Sequence, residues 1–148
     1  IQTVSALHST GLQDRGKYCG IAAGADGKLY CAPYHATEVL VIDPSTSTLS
    51  FLSAKGLEAR GKYCGISQGA DGRLYCAPRD AADVLVVDPA SGVLSFLNAA
   101  GLEAGGDKYF GIAPGIDDKL YCAPRDAAEV LIVDPVKAAL LQQVHEEA

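Results

Sequence analysis

The chain of 148 residues has a net charge of −6, and 49% of its residues are hydrophobic. This composition is typical of an ordered globular protein and excludes a disordered one. The acidic balance leaves no basic stripe to neutralise phosphates, so we expect no nucleic-acid partner. No apolar run approaches the roughly 20 residues that span a bilayer, so we expect no transmembrane segment.

The first residue of the chain and its methionine content bear on its origin. It begins at Ile1 and contains no methionine. We therefore expect a processed product or a fragment, either a soluble organellar protein that has lost a targeting peptide or a piece of a longer repeat array. The compartment stays open.

The sequence repeats itself three times. Lys-Tyr-Cys-Gly-Ile at 17–21 returns at 62–66 and, with Phe for Cys, at 108–112; Leu-Tyr-Cys-Ala-Pro at 29–33 returns at 74–78 and 120–124. A fixed period of 45 and then 46 residues indicates a stack or ring of supersecondary units. We place the repeats at about 1–44, 45–89 and 90–135, followed by a C-terminal amphipathic tail at 136–148.

The second repeat shows the elements of one unit in chain order. Two apolar strands flank the hairpin turn Asp71-Gly72, and a third strand, 83–87, is rich in β-branched residues. The turn Asp88-Pro89 then leads to a fourth strand at 93–97. Each unit is therefore predicted to be a four-stranded antiparallel meander, with third strands at about 38–42, 83–87 and 129–133.

The third strands are continuous apolar runs, which indicates that both faces of each sheet are covered. Four-stranded sheets covered on both faces and repeated every 40 to 50 residues are typical of β-propeller blades. The predicted fold class is all-β, an array of three propeller-type blades with a short C-terminal helix or tail.

Two sequence motifs carry a family resemblance. Leu29–Pro33, followed by Glu38–Pro44, resembles the YVTN and NHL type of propeller repeat, in which such a phrase forms the two middle strands of a blade. The sequence of the repeat also resembles tandem repeats of algal protists. This resemblance implies a subunit of an algal membrane or photosynthetic complex. The resemblance covers residues 1 to about 135 and implies the fold, but such repeats serve surface proteins, lactonases and scaffolds alike.

Both ends of the array have predicted structure. Residues 1–12 align with 46–57, which predicts that the chain starts in a fourth strand, the offset by which propellers close. Residues 136–148 carry an apolar stripe behind Asp134 and Pro135, which favours a helix. The alternative is a degraded fourth strand at 140–144.

The cysteines follow the repeat and not any zinc spacing. We expect reduced, buried thiols that act as small hydrophobes. The alternative is a cross-strand disulfide of Cys19 with Cys31 and another of Cys64 with Cys76. No cluster of histidines or cysteines suggests a metal, so we expect no metal and no cofactor.

Loops after the second and fourth strands meet at one end of a meander, and these loops are long and charged. Loops on a rigid scaffold carry function, so this end is the predicted ligand or partner site. An ion pair that simply repeats with the blade is the alternative for Arg79-Asp80 and Arg125-Asp126. The candidate site residues are Arg15, Tyr34, His35, Arg60, Arg79, Asp80, Arg125 and Asp126.

The functional expectation is a non-catalytic interaction or scaffold module, a subunit of a homo-oligomer or of a larger assembly. Three blades are too few to close a ring, since propellers have about 4 to 8, so a protein partner or self-association should cover the exposed blade faces. The alternatives are a small-ligand or glycan-binding propeller and a lactonase-like enzyme. No histidine lies near a serine nucleophile elbow, so we expect no enzymatic activity.

Overall fold

The computed structural model describes residues 3–98 and 105–136. These residues form strands and turns, with bounds as follows: β1 Tyr18–Ala23, β2 Leu29–Pro33, β3 Glu38–Asp43, β4 Thr48–Ser53, β5 Tyr63–Gln68, β6 Leu74–Pro78, β7 Asp83–Asp88, β8 Val93–Asn98, β9 Tyr109–Pro114, β10 Leu120–Pro124 and β11 Leu131–Val133.

The strands form three antiparallel meanders in sequence order, β1 to β4, β5 to β8 and β9 to β11. The all-β class and the meander topology predicted from the turn chemistry are confirmed. The division of the chain at residues 44, 89 and 135 stays a prediction.

The third sheet has three strands in the described part of the chain, and not the four that the sequence predicts. Its last strand, β11, is also short, because it has no outer strand to pair with among the described residues. β3 pairs with β2 only through Leu40, Val41 and Ile42, whereas all six of its residues pair with β4. β11 has no such outer partner among the described residues, so only its three pairs with β10 remain.

The N-terminal prediction is wrong for a single chain. Residues 3–17 contain no strand, and Val4 and Leu7 are 79% and 44% exposed. A strand needs a ladder partner, and this segment belongs to none of the sheets in the described part of the chain. Pro135 and Val136 begin a helical turn, but residues 137–148 lie outside the described residues, so both predictions for the tail stay open there.

The core lies between neighbouring sheets. Val84 and Val86 of β7 pack against Leu120 and Val133 of the third sheet, and a larger cluster joins the first and second sheets in the same way. Because the second sheet is covered on both faces, β7 reads as the continuous apolar run seen in the sequence.

An aspartate recurs in each β-hairpin for a structural reason. In the first hairpin, Asp26 accepts a hydrogen bond from the Lys28 backbone N–H at 3.1 Å and another from the Tyr30 hydroxyl at 2.6 Å. Asp71 and Tyr75 repeat the hydroxyl contact at 2.6 Å. The aspartate therefore closes the turn and pairs a phenol that the core would otherwise leave unsatisfied.

The cysteine prediction is corrected. A disulfide joins Cys19 to Cys64, with their Cα atoms 4.7 Å apart, while Cys31, Cys76 and Cys122 are free and buried. A β-bulge shifts the register after Tyr18, so Cys31 lies opposite Ile21 and not opposite Cys19. The alternative pairs within a blade are therefore wrong as well, since the bond runs between blades.

Thiol counting tests this pairing. Denatured, unreduced protein should show three reactive thiols out of five. The double variant Cys19→Ser, Cys64→Ser should lose about 2–4 kcal/mol of unfolding free energy, because the bridge no longer restrains the unfolded chain. Five reactive thiols in protein purified without reductant would contradict the bond.

Alkaline pH should destabilise the fold. Burial raises the pKa of Tyr18 and of Cys122 to about 12, above the values near 9 to 10 that such groups have in an unfolded chain. A raised folded pKa adds stability that is complete below the unfolded pKa and is lost as pH rises through the folded pKa. Burial lowers the pKa of Lys62 and Lys108, which opposes this trend, but the affected phenols and thiols are more numerous.

Urea unfolding should therefore give a lower free energy at about pH 10.5 than at about pH 7.5. An equal or higher value at alkaline pH would contradict the expectation.

Candidate functional site

Loops at one end of the blades are joined by a chain of backbone hydrogen bonds. The Tyr34 N–H donates to Lys17 O at 2.9 Å, and the Lys62 N–H of the next blade donates to Tyr34 O at 3.0 Å. We call this series the junction chain. It continues with three further bonds: Arg79 N–H to Lys62 O, Lys108 N–H to Arg79 O, and Arg125 N–H to Lys108 O.

Buried lysines reinforce the junction chain. The Lys62 side chain is 2% exposed, and its Nζ donates to Ala36 O at 2.7 Å and to Ala59 O at 2.5 Å. Lys108 is equally buried and donates to Gly105 O at 2.8 Å. Desolvation lowers the pKa of both ammonium groups, with carbonyl oxygens replacing water. Lys62 therefore binds the first blade to the loop that enters the second.

His35 takes part in the same junction. Its Nδ1 accepts a hydrogen bond from the Gly61 N–H at 2.9 Å, and its ring lies 4.3 Å from the ring of Tyr34. Desolvation, followed by the positive charges of Arg60 and Lys62, lowers the pKa of the imidazole. Because Nδ1 accepts the bond from Gly61, the ring proton of the imidazole lies on Nε2, and Nδ1 is unavailable as a general base.

Asp80 occupies the position of His35 in the next repeat. Its Oδ1 accepts a hydrogen bond from the Asp107 N–H at 2.7 Å. The predicted ion pair of Arg79 with Asp80 is present at 3.2 Å, and Arg79 also contacts the Asp107 carboxylate. The Arg79 guanidinium lies 5.0 Å from the centroid of the Tyr34 ring, which links the first two blades.

The structure brings five of the eight predicted site residues together: Tyr34, His35, Arg60, Arg79 and Asp80. The other three contact this cluster only through the backbone of the junctions or not at all: the backbone N–H groups of Arg125 and Asp126 donate to Lys108 O and Asp107 O. Arg125 lies over the Phe110 ring at 5.2 Å, and Asp126 and Arg15 are exposed.

Sequence reasoning missed the buried lysines. The signal that identifies them is a lysine recurring at the head of an apolar strand in all three repeats.

A cavity of about 380 Å³ opens beside this cluster. Lys55, Arg60, Lys62, Asp80 and Phe96 are among its lining residues. A smaller cavity of about 150 Å³ lies at the equivalent place in the first blade. The lining combines three cationic side chains with the carboxylates of Asp80 and Asp83 and the rings of Tyr63 and Phe96.

Residues 3–98 and 105–136 contain no group of three or more His, Cys, Asp or Glu side chains placed to hold a metal ion. Of the histidines, His8 is exposed and His35 accepts a hydrogen bond from Gly61.

Across residues 3–98 and 105–136, no helix has the length and apolarity to cross a bilayer.

Comparisons with known proteins identify the fold. No protein-family profile and no curated protein matches the chain. Several solved structures do match. Virginiamycin B lyase from Staphylococcus aureus has a TM-score of 0.58 at 12% identity, over 81% of this chain and 42% of that one. Hydrazine synthase from Kuenenia stuttgartiensis has a TM-score of 0.61 at 18% identity, over 85% and 36%.

An auxiliary nutrient binding protein from Bacteroides ovatus has a TM-score of 0.60 at 16% identity, over 80% of this chain and 28% of that one. The chain thus spans less than half the length of these structures. At such identities the likeness shows the fold alone, and that fold is of the β-propeller type.

The variant Lys62→Met should lower the free energy of unfolding by about 1–3 kcal/mol, because the Ala36 and Ala59 carbonyls lose a buried donor. Lys55→Met is the matched control, since Lys55 is an exposed lysine of the same loop, and it should change the value by less than about 0.5 kcal/mol. Equal effects in denaturant unfolding would contradict a structural role for Lys62.

Proposed function

We propose that this chain is a non-catalytic interaction module built from three propeller blades of the YVTN or NHL-like type. It acts as a subunit of a homo-oligomer or as an accessory subunit of a larger assembly. Propeller folds host many activities, so the argument rests on this chain's own surfaces and not on its structural neighbours.

The observation that carries the proposal is the uncovered face of the third blade. Val39 and Val84 occupy equivalent positions in the first two blades and are 0% and 2% exposed, whereas Val130 in the third blade is 52% exposed. Ile132 is 53% exposed, against 4% and 1% for its two equivalents. Contiguous apolar surface of this kind marks an interaction site.

The polar groups at the loop end support the non-catalytic part of the proposal. His35 Nδ1, the Asp80 carboxylate and the Lys62 ammonium all bind the backbone of a neighbouring loop. Groups engaged in this way hold blades together and offer no free general base.

A ligand-binding function is the second candidate, and the cavity beside Lys55 and Arg60 favours it. Isothermal titration with small carboxylates, phosphates and glycans tests it. Binding that is lost in Arg60→Gln and kept in Arg15→Gln would establish a ligand site in place of a purely structural end.

Sedimentation velocity tests the interaction proposal. The chain should sediment as a species heavier than its monomer mass of 15.3 kDa over a wide concentration range. Ile132→Lys should weaken this assembly by charging the exposed face, and Val93→Lys, at an exposed position on β8, is the control. A folded monomer that binds no hydrophobic dye would contradict the proposal.

A further inference from the structure

We infer that a second copy of this chain completes the third blade, its residues 3–8 pairing antiparallel with β11 as the missing fourth strand. The inference rests on the proposed interaction function and names its partner and contacts. It starts from β11, which has a partner on its β10 side only in the described structure.

The repeat fixes the register of the pairing. In the first blade Ser50 lies opposite Val41, and Leu52 lies opposite Val39. We move the outer strand back by one repeat and the third strand forward by two repeats. Ser5 then lies opposite Ile132. The same shift places Leu7 opposite Val130 and Val4 opposite Val133.

Side-chain chemistry agrees with this register. The outer strand of the second blade contributes Leu94, Phe96 and Leu97 to the core. Their equivalents in the N-terminal segment are Val4, Ala6 and Leu7, all apolar. Val4 and Leu7 are well exposed in the single chain, and pairing with β11 would place Leu7 beside the exposed Val130 and Val4 beside Val133.

The two end faces of the chain are complementary halves of a junction that it already makes twice. The first blade exposes Ile21 at 56%, whereas the equivalent Ile66 is covered by the first blade and is 7% exposed. The third blade exposes Val130 and Ile132, which belong to the opposite face of the same junction. A second copy, docked head to tail, would cover each half with the residue types that pack inside the chain.

Polar groups at the two ends match in the same way. The Asp80 carboxylate accepts from the Asp107 N–H, and His35 accepts from the Gly61 N–H. The next acceptor in this series is Asp126, and the next donor is the Gly16 N–H of another copy. The Lys17 N–H would likewise extend the junction chain by donating to Arg125 O. Two such junctions, related by a two-fold axis, close a ring of six blades.

The chain's own tail is a poorer candidate for the missing strand. In the register of β8, Gln142 and Gln143 would take the positions of Phe96 and Leu97. Ala138 would take the position of Gly92, which has a φ of 70°. That conformation is strained for a residue with a Cβ atom.

Cross-linking two single variants tests the pairing in full-length protein. Ser5→Cys mixed with Ile132→Cys should form a disulfide-linked dimer on a non-reducing gel, because directly opposite residues have Cβ atoms about 5 Å apart. Ser5→Cys mixed with Glu129→Cys is the control, three residues out of register, and should cross-link far less. Equal yields, or no cross-link in a dimeric sample, would overturn the inference.

Truncation separates the two candidate strands. Removing residues 1–8 should give a folded monomer, since residues 3–8 belong to no sheet of the single chain, while removing 137–148 should leave the dimer intact. The reverse pattern would assign the strand to the tail and overturn the inference. Assembly without the Ser5–Ile132 cross-link would overturn this inference alone, whereas a folded full-length monomer that binds no hydrophobic dye would overturn the proposed function too.

Discussion

The first strands of the three sheets, β1, β5 and β9, are the inner strands of the array. Their close approach at Gly20, Gly65 and Gly111 sets the spacing of the sheets. A Cβ atom on Gly20 would lie 2.9 Å from Gly65 Cα, and one on Gly65 would lie 2.6 Å from Gly111 Cα. All three glycines have φ near +100°, in the left-handed half of the map that side chains disfavour. At Gly20 or Gly65 any other residue would push the sheets apart, which would open the cores between them and part the Cys19–Cys64 pair.

The close inner strands also bring the loops at the end of each blade within hydrogen-bonding distance of the neighbouring loops. The backbone groups there must find partners in the protein, and the junction chain and the buried lysines supply them. Consequently the charged side chains that make this end resemble a binding site are largely occupied in holding it together. Unsatisfied surface remains at the two terminal blades, which is where a repeat array lacks a neighbour.

Features encoded over a few residues were predictable from the sequence. The turn chemistry of Asp88-Pro89 places β7 and β8, and adjacency alone suggests the Arg79–Asp80 ion pair. Features that depend on a distant neighbour were not. The length of β11 depends on an outer strand, and the bond from Gly61 to His35 spans 26 residues at a place where the repeat changes residue type. The cysteine pair joins two blades across 45 residues, beyond any local pattern.

The middle blade shows what the terminal blades lack. Its Val84, Leu85, Val86 and Val87 are all at most 2% exposed, because a neighbour covers each face. The stability of a repeat array is approximately the sum of its intrinsic unit terms and its interface terms, so three blades in a row share two interfaces. Closing two chains into a ring would raise this to three interfaces per chain without a new kind of contact. The largest gain would fall on β11, which pairs on its β10 side only in the described part of the chain.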